Sequence, residues 1–318
     1  MLRVAVVTPL YNDWESLQRL IPEIDAELTS YPLEISIVVV NDGSSTAIPE
    51  SFLEEISLKQ IRSVEVLDLC SNMGHQRAIA LGLAEVSSRE CYDLVIVMDS
   101  DGEDQPASLP LLLQKHMAYP DHIVAAKRQK RSEGLFFKCF YLLYKLSFKL
   151  LTGFTISHGN YSLIPIPILK RLLCMPDLAN HLAATMIQSG IPIVEVSTNR
   201  GKRYTGKSKL NTVSLITLGL SAISIFAEIS FVRIFIASIS LGMITATGII
   251  LVVGIRMFTD LAIPGWASNI AGLLIIIFLQ VILLSMIAAF LVLNNRSGVS
   301  PNLSNQVKIY VSKRNVIL

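Results

Sequence analysis

The chain has 318 residues, of which 52% are hydrophobic and only 16% charged, and its mean hydropathy of +0.53 is too high for an ordinary soluble globule, so part of it is expected in a bilayer. A formal net charge of +2 argues neither for nor against nucleic acid, which is not among the expected partners. Four cysteines, Cys70, Cys91, Cys139 and Cys174, form no CxxC pair, which points away from a zinc site or disulfide framework and toward a reducing compartment.

From the N-terminus, "MLRVAVVTPLYND" reaches polar residues within a few positions, so no secretory leader is read there and the domain that follows is expected in the cytoplasm. The β-branched runs "RVAVVTPL", "EISIVVVND", "VEVLDL", "YDLVIVMD" and "HIVAAKR" alternate with helical segments such as "DWESLQRLIPEIDAEL" and "MGHQRAIALGLAEV". That alternation predicts an α/β domain with a mostly parallel sheet and helices on both faces. Val38 to Val40 and Val95 to Val97 run without alternation, as strands buried on both faces do. No GxGxxG follows the first strand, so a dinucleotide Rossmann site is not supported.

The strand ends carry the chemistry. After the first come Thr8, Pro9, Tyr11 and Asn12, after the second Asn41, Asp42, Gly43, Ser44 and Ser45, and after the third Ser71, Asn72, Gly74, His75 and Gln76. The fourth runs into "MDSDGEDQP", with Asp99, Ser100, Asp101, Glu103, Asp104 and Gln105, and the fifth into Lys127, Arg128, Lys130 and Arg131. Each tip alone is ordinary turn chemistry. In an open parallel sheet, however, all five lie along the carboxyl edge where ligands bind, and together they predict one site. Asp99 and Asp101, two apart on an extended segment, offer hard oxygen ligands to Mg²⁺ or Mn²⁺, with substrate phosphates completing the shell. An EF-hand reading of "DSDGED" fails, because the sixth position is not glycine and the twelfth, Pro110, is not an acid. Glu103 and Asp104 suit the positive end of the helix that starts near Pro106.

Further along, "GLFFKCFYLLYKLSFKLLTG" (134–153) places Lys138, Lys145 and Lys149 on one helix face, which reads as an interfacial helix. Residues 1–210 form the predicted α/β domain, which ends in the basic stretch "RGKRYTGKSKL" with Arg200, Arg203 and Lys209. A juxtamembrane amphipathic helix is expected at 211–230, followed by transmembrane helices at 231–256 and 268–293, each near the ~20 residues that cross ~30 Å of hydrocarbon. The loop between them, "RMFTDLAIPGWAS", holds Arg256 as its one basic residue, whereas both outer flanks are rich in Lys and Arg. The positive-inside rule places the α/β domain and a tail at 294–318 in the cytoplasm, making this an integral inner-membrane protein.

In this order and spacing, "VVTPLYND", "VVVNDGSS", "NMGHQRAIALGL" and "VMDSDGEDQP" resemble a family 2 glycosyltransferase of the GT-A fold, the nucleotide-diphospho-sugar transferase fold. The basic stretch and two C-terminal spans resemble its polyisoprenyl-phosphate branch, the dolichyl-phosphate mannose synthases and bactoprenol glucosyltransferases. The resemblance covers residues 3–293. It implies an inverting, metal-dependent transfer from a nucleotide sugar, a UDP- or GDP-sugar, to undecaprenyl or dolichyl phosphate among membrane lipids; the sequence leaves open whether the chain forms a homo-oligomer.

On the same resemblance, Pro9, Tyr11 and Asp42 would hold the nucleoside, with Asn12, Asn72, Gly74, Gln76, Ser100, Glu103, Asp104 and Gln105 around the donor. Asp99 would face the ribose or the metal, and Asp101 would be the direct metal ligand. Arg128, Arg131, Arg200, Arg203 and Lys209 would bind the acceptor phosphate and neutralise the leaving diphosphate. Gly201 and Gly206 suit a phosphate loop. "TISHGNYSLIP" departs from the family by offering Ser157, His158 and Asn160 where acids are usual, and no QxxRW motif follows, which speaks against a processive polysaccharide synthase. His75 and His158 read as loop hydrogen-bonders. Two alternatives stand beside this reading: transfer to a glycerolipid or glycan hydroxyl, which needs a general base such as Glu103 or Asp104, and a non-catalytic membrane module that binds a nucleotide sugar.

Overall fold

A computed structural model describes residues 1–49, 52, 58–128, 135–205, 212–258, 265–296 and 303–318. In chain order its elements are β1 (Leu2–Leu10), α1 (Trp14–Leu28), β2 (Leu33–Asn41), β3 (Ile61–Leu69), α2 (His75–Ser88), β4 (Leu94–Val97), α3 (Leu109–Ala118), β5 (Ile123–Arg128) and α4 (Leu135–Thr152). There follow β6 (Ser162–Pro165), α5 (Ile166–Leu173), α6 (Leu182–Gln188), β7 (Ile193–Thr198), α7 (Thr212–Ser224), α8 (Ala227–Phe258), α9 (Trp266–Arg296), α10 (Leu303–Tyr310) and β8 (Val311–Val316). The chain divides into two units, one of residues 1–138, 155–225 and 300–318, the other of residues 139–154 and 226–299.

In the first unit the strands form an eight-stranded sheet in the order β7-β5-β6-β4-β1-β2-β3-β8. β1, β2, β3 and β4 are parallel, and β5 pairs in parallel with β7. β6 runs antiparallel between β4 and β5, and β8 antiparallel along β3, so the predicted parallel sheet carries two reversed strands. Because β6 is reversed against both neighbours, β4 and β5 still point the same way and their carboxyl ends share one edge.

Both faces of the sheet are covered, which is why the valine runs do not alternate. Val4 and Val6 face Leu17, Leu20, Ile21 and Ile24 of α1, an i, i+3, i+4, i+7 stripe that is fully buried, each side chain contributing about 2 kcal/mol. Ala5, Val7, Val38 and Val40 face α2 and α6 on the other side. Gly82 lets α2 approach closely, since a Cβ there would lie 2.6 Å from Val7 Cγ1 and 2.7 Å from Val40 Cγ2.

The last residues of the chain return to this sheet. β8 covers the edge of β3, with Asp68 opposite Lys313, and Asn315 Nδ2 donates to Asp68 Oδ2 at 2.8 Å. Arg314 donates from Nε and NH2 to the two oxygens of Glu85 on α2, and Arg89 pairs with Glu85 and Glu65. Burial works against charge on Glu85, but Arg314 and Arg89 outweigh it and hold its carboxyl below the usual range.

In the second unit α8 and α9 pack together through small residues. Ser238, Gly242 and Thr245 are buried, and a Cβ on Gly242 would lie 3.6 Å from Val281. Elsewhere large apolar side chains stand exposed, among them Ile244, Ile250, Leu273 and Phe290. Helices of 32 and 31 residues with such surfaces are candidate membrane spans. α8 begins at Ala227, so residues 227–230 of the expected juxtamembrane helix belong to the long helix and α7 ends at Ser224. On α4, Leu142, Leu146 and Leu150 form an exposed stripe one turn apart, and Arg233 NH1 donates to the Leu150 carbonyl at 2.9 Å.

Arg314→Ala removes one of the two arginines on Glu85 and is expected to lower stability by about 1 kcal/mol. A thermal melt of the detergent-solubilised full chain should show Tm falling by about 2–4 °C.

Candidate active site

The first three strand tips are tied to one another. Asn12 adopts φ +50°, and its Oδ1 accepts the N–H groups of Ser45 at 2.8 Å and Thr46 at 3.2 Å together with both hydroxyls. Its side chain therefore holds the second loop. Asp42, buried, accepts the N–H groups of Met73 at 2.6 Å and Gly74 at 3.0 Å. Burial raises the Asp42 pKa, and those two N–H groups pull back against it. Gly43 is needed between them, because at φ +67° a Cβ would sit 2.6 Å from the Asn72 nitrogen. Gln76 Oε1 accepts the Leu182 N–H at 2.9 Å, and the Ser100 hydroxyl donates to the Pro9 carbonyl at 3.0 Å. Tyr11 and Asn72 are exposed at the same edge.

At the end of β4 each acid has a separate task. Asp104 is only 2% exposed, and its Oδ2 accepts the Asp99 N–H at 3.0 Å. The helix-capping reading of Glu103 and Asp104 is corrected here: the turn at Pro106–Ser108 that leads into α3 has Gln105 as its N-cap and no side-chain cap. Instead the Gln105 carbonyl accepts the Tyr161 hydroxyl at 3.1 Å. Asp99 Oδ1 lies 3.3 Å from His75 Nε2, Asp101 Oδ2 lies 3.1 Å from Arg203 NH2, and Glu103 is paired with Arg200. Thus three carboxylates meet three basic side chains, two guanidinium groups and an imidazole.

Arg200 and Arg203 come from the segment after β7, which lies along the acidic loop as a second backbone. Gly201 N–H donates to the Glu103 carbonyl at 2.9 Å and Tyr204 N–H to the Asp101 carbonyl at 3.0 Å, while Asp104 and Arg200 form a β-bridge. A Cβ on Gly201 would lie 2.1 Å from the Gly102 oxygen, so glycine is required by this close approach, which explains Gly201 without a phosphate loop. Arg128 ends β5 on the same edge. Arg131, Lys209 and Gly206 lie outside the described residues.

Three histidines converge behind Asp99. Burial opposes charge on His75, but the Asp99 carboxylate, with Asp101 and Asp104 beyond it, raises its pKa above the ordinary value. Asn160 Nδ2 is 3.3 Å from His75 Nε2, so the departure at "SHGN" meets the site through this histidine. His158 is buried with its Nδ1 3.8 Å from Glu195, which also accepts the Ser157 hydroxyl and pairs with Lys127 at 2.6 Å. Burial lowers the pKa of His158. At His181, the N-cap of α6, burial lowers the pKa to about 4, and nearby His158 and His75 add to this. Reading the sequence placed His75 in an ordinary loop and did not single out Glu195; only their spacing from Asp99 and His158 in the folded chain reveals them.

The carboxylates of Asp99 and Asp101, with His75 Nε2 at 3.3 Å from one and Arg203 NH2 at 3.1 Å from the other, form a donor set of hard oxygens that suits a divalent cation. Among the described residues no group of three or more His, Cys, Asp or Glu side chains could hold a metal ion by itself.

Residues 5–166 match the family model Glycosyl transferase family 2, and the chain belongs to that family. It is 24% identical over 302 residues to the uncharacterized glycosyltransferase YkcC of Bacillus subtilis (strain 168), covering 91% of this chain and 88% of the relative. It is 26% identical over 246 residues to bactoprenol glucosyl transferase of Shigella phage SfV, covering 75% and 78%. It is 30% identical over 227 residues to undecaprenyl-phosphate 4-deoxy-4-formamido-L-arabinose transferase of Salmonella paratyphi A, covering 68% and 65%. The sheet with its acidic edge is thus a GT-A-like domain of a glycosyltransferase.

Gly201→Ala should lift the 200–204 segment off the acidic loop. Trypsin cleavage at Arg200, Lys202 and Arg203 is expected to speed up on the order of tenfold, the factor that ~1.4 kcal/mol of opening free energy gives, with little change in Tm. His181 generates a pH dependence. Its folded pKa lies below its unfolded one, so its stabilising effect is complete above pH 6.5 and is lost as pH falls toward 4. The loss is at most about 1.4 kcal/mol per pH unit. Denaturant titrations at pH 7 and pH 5 should show this slope, and His181→Asn, which keeps a capping side chain, should flatten it.

Proposed function

We propose that the protein transfers a sugar, with inversion, from a UDP- or GDP-sugar to a polyisoprenyl phosphate at the cytoplasmic face of a membrane. The observation that carries the reading is the acidic loop 99–104 on the carboxyl edge of the sheet, faced by Arg200 and Arg203 of the same chain. Oxygen ligands for a cation and guanidinium groups for phosphates stand there together. Relatives named as bactoprenol and undecaprenyl-phosphate transferases support an acceptor of that class. Helices α8 and α9 support a membrane-borne acceptor. β8, which follows α9 in the chain, pairs with β3, so segments on both sides of the two helices belong to the sheet's own unit.

A lipid phosphate is already an anion, so one of its oxygens can attack the anomeric carbon without a general base. The new carbon–oxygen bond forms on the face opposite the diphosphate, whose own bond to that carbon breaks and whose oxygen takes the electron pair. Glu103, held by Arg200, acts as a counter-ion, and Asp104 shapes the loop through the Asp99 N–H. A divalent cation at Asp99 and Asp101 would neutralise charge on the leaving diphosphate. Arg128, Arg131, Arg200, Arg203 and Lys209 supply fixed positive charge to the acceptor phosphate and the departing diphosphate. Pro9, Tyr11 and Asp42 border the nucleoside, while Asn12 and Gln76 keep that border in shape through the contacts described above.

Purified protein with undecaprenyl phosphate, Mg²⁺ and labelled UDP- and GDP-sugars is expected to yield a labelled lipid with one donor. Asp101→Asn should lower the rate at least ~100-fold and Glu103→Gln no more than about tenfold. No labelled lipid with any donor would sink the reading, and label on a hydroxyl acceptor with a large Glu103→Gln defect would favour base-assisted transfer.

A further inference from the structure

We propose that Arg203 is an internal counter-ion of Asp101 that a nucleoside diphosphate must draw away before a divalent cation can take the carboxylate, so that metal and nucleotide bind as a linked pair. The inference rests on the reading of Asp99 and Asp101 as cation ligands.

Both oxygens of Asp101 are engaged in the folded chain. Oδ1 accepts the Glu103 N–H at 2.9 Å, and Oδ2 faces Arg203 NH2 at 3.1 Å, with the two side chains only 13% and 22% exposed. A charge-assisted contact screened this little by solvent is stronger than a surface ion pair. A divalent ion arriving alone would have to displace the guanidinium or accept a like charge beside it. A diphosphate removes that conflict, because it offers the planar fork of Arg203 a bidentate anionic partner.

The exchange requires no movement of the backbone. The segment is pinned independently of the Arg203 side chain by the Gly201 and Tyr204 N–H bonds, by the Arg200–Glu103 pair and by the Tyr204 hydroxyl on Glu23. The Thr205 hydroxyl adds a bond to Asp13 at 2.9 Å. Only one side chain has to turn from a carboxylate to a phosphate at the same edge. Linkage then makes the effect reciprocal: the cation tightens nucleotide binding by the factor by which nucleotide tightens the cation.

The test is Mn²⁺ binding to the detergent-solubilised full chain, followed by electron paramagnetic resonance, without nucleotide and with saturating UDP or GDP. Wild-type protein should bind Mn²⁺ weakly alone and much more tightly with a nucleotide that fits. Arg203→Gln should tighten Mn²⁺ alone on the order of tenfold and shrink the nucleotide-dependent gain by a similar factor. Arg203→Lys, which keeps the charge, should stay near wild type, and so should Lys202→Gln, which removes an exposed neighbouring charge. Unchanged or weaker Mn²⁺ binding in Arg203→Gln, with Tm preserved, would overturn the proposal. Asp101→Asn separates the two levels. If it leaves Mn²⁺ binding intact, the assignment of Asp101 as a ligand fails; if it abolishes binding while Arg203→Gln gives no gain, only the counter-ion role fails.

Discussion

Four carboxylates fall within six residues at the end of β4, and like charges at such spacing repel strongly unless each is met. The folded chain sets a basic side chain against three of them, His75 on Asp99, Arg203 on Asp101 and Arg200 on Glu103, and buries the fourth, Asp104, on the Asp99 N–H. Much of the domain's organisation serves this neutralisation. The start of α2 supplies the imidazole, and the exit of β7 supplies both guanidinium groups. The result is a polar edge on which each of the four acids has a partner.

The strand order explains how residues 100 positions apart reach one loop. β7 pairs in parallel with β5, so its carboxyl end, followed by Arg200, emerges on the edge where β4 and β5 end. β6 between them points the other way, and the segment before it, Ser157 to Asn160, therefore enters from the same edge and meets His75 and Glu195. A fully parallel sheet would place that segment at the opposite edge. Gly201 completes the arrangement, because any Cβ at that position would collide with the Gly102 carbonyl and keep the guanidinium groups from their acids.

The remaining edge of the sheet has a different solution. β3 would leave a row of unpaired backbone groups, which a sheet edge must cover or discourage from pairing elsewhere. β8 covers it, and the Glu85, Arg314, Arg89 and Glu65 network ties it to α2. In the second unit the same demand for partners is met otherwise. Helices α8 and α9 satisfy their backbones internally, face each other through Ser238, Gly242 and Thr245, and leave leucine and isoleucine outward, a surface suited to hydrocarbon.

Hydrophobic period and strand-end composition were enough to read five strands that run the same way, the shared edge at which they end, the acids that follow the fourth and two long apolar helices, because these depend on local pattern. Four things were not read: the reversed β6, a run of four residues too short to show a period; β7, the six-residue "IVEVST" that follows α6; β8, whose "VSKRNV" is mostly polar; and the partners of the acids. Asn12 and Gln76 look like ligand contacts in sequence, yet their oxygens are committed to the N–H groups of Ser45, Thr46 and Leu182. A side chain's type states what it can bond to, and that much the sequence determined. Which bond it makes depends on what the fold brings within about 3 Å, and so only the tertiary structure decided that Arg203 would sit on Asp101 and Arg200 on Glu103.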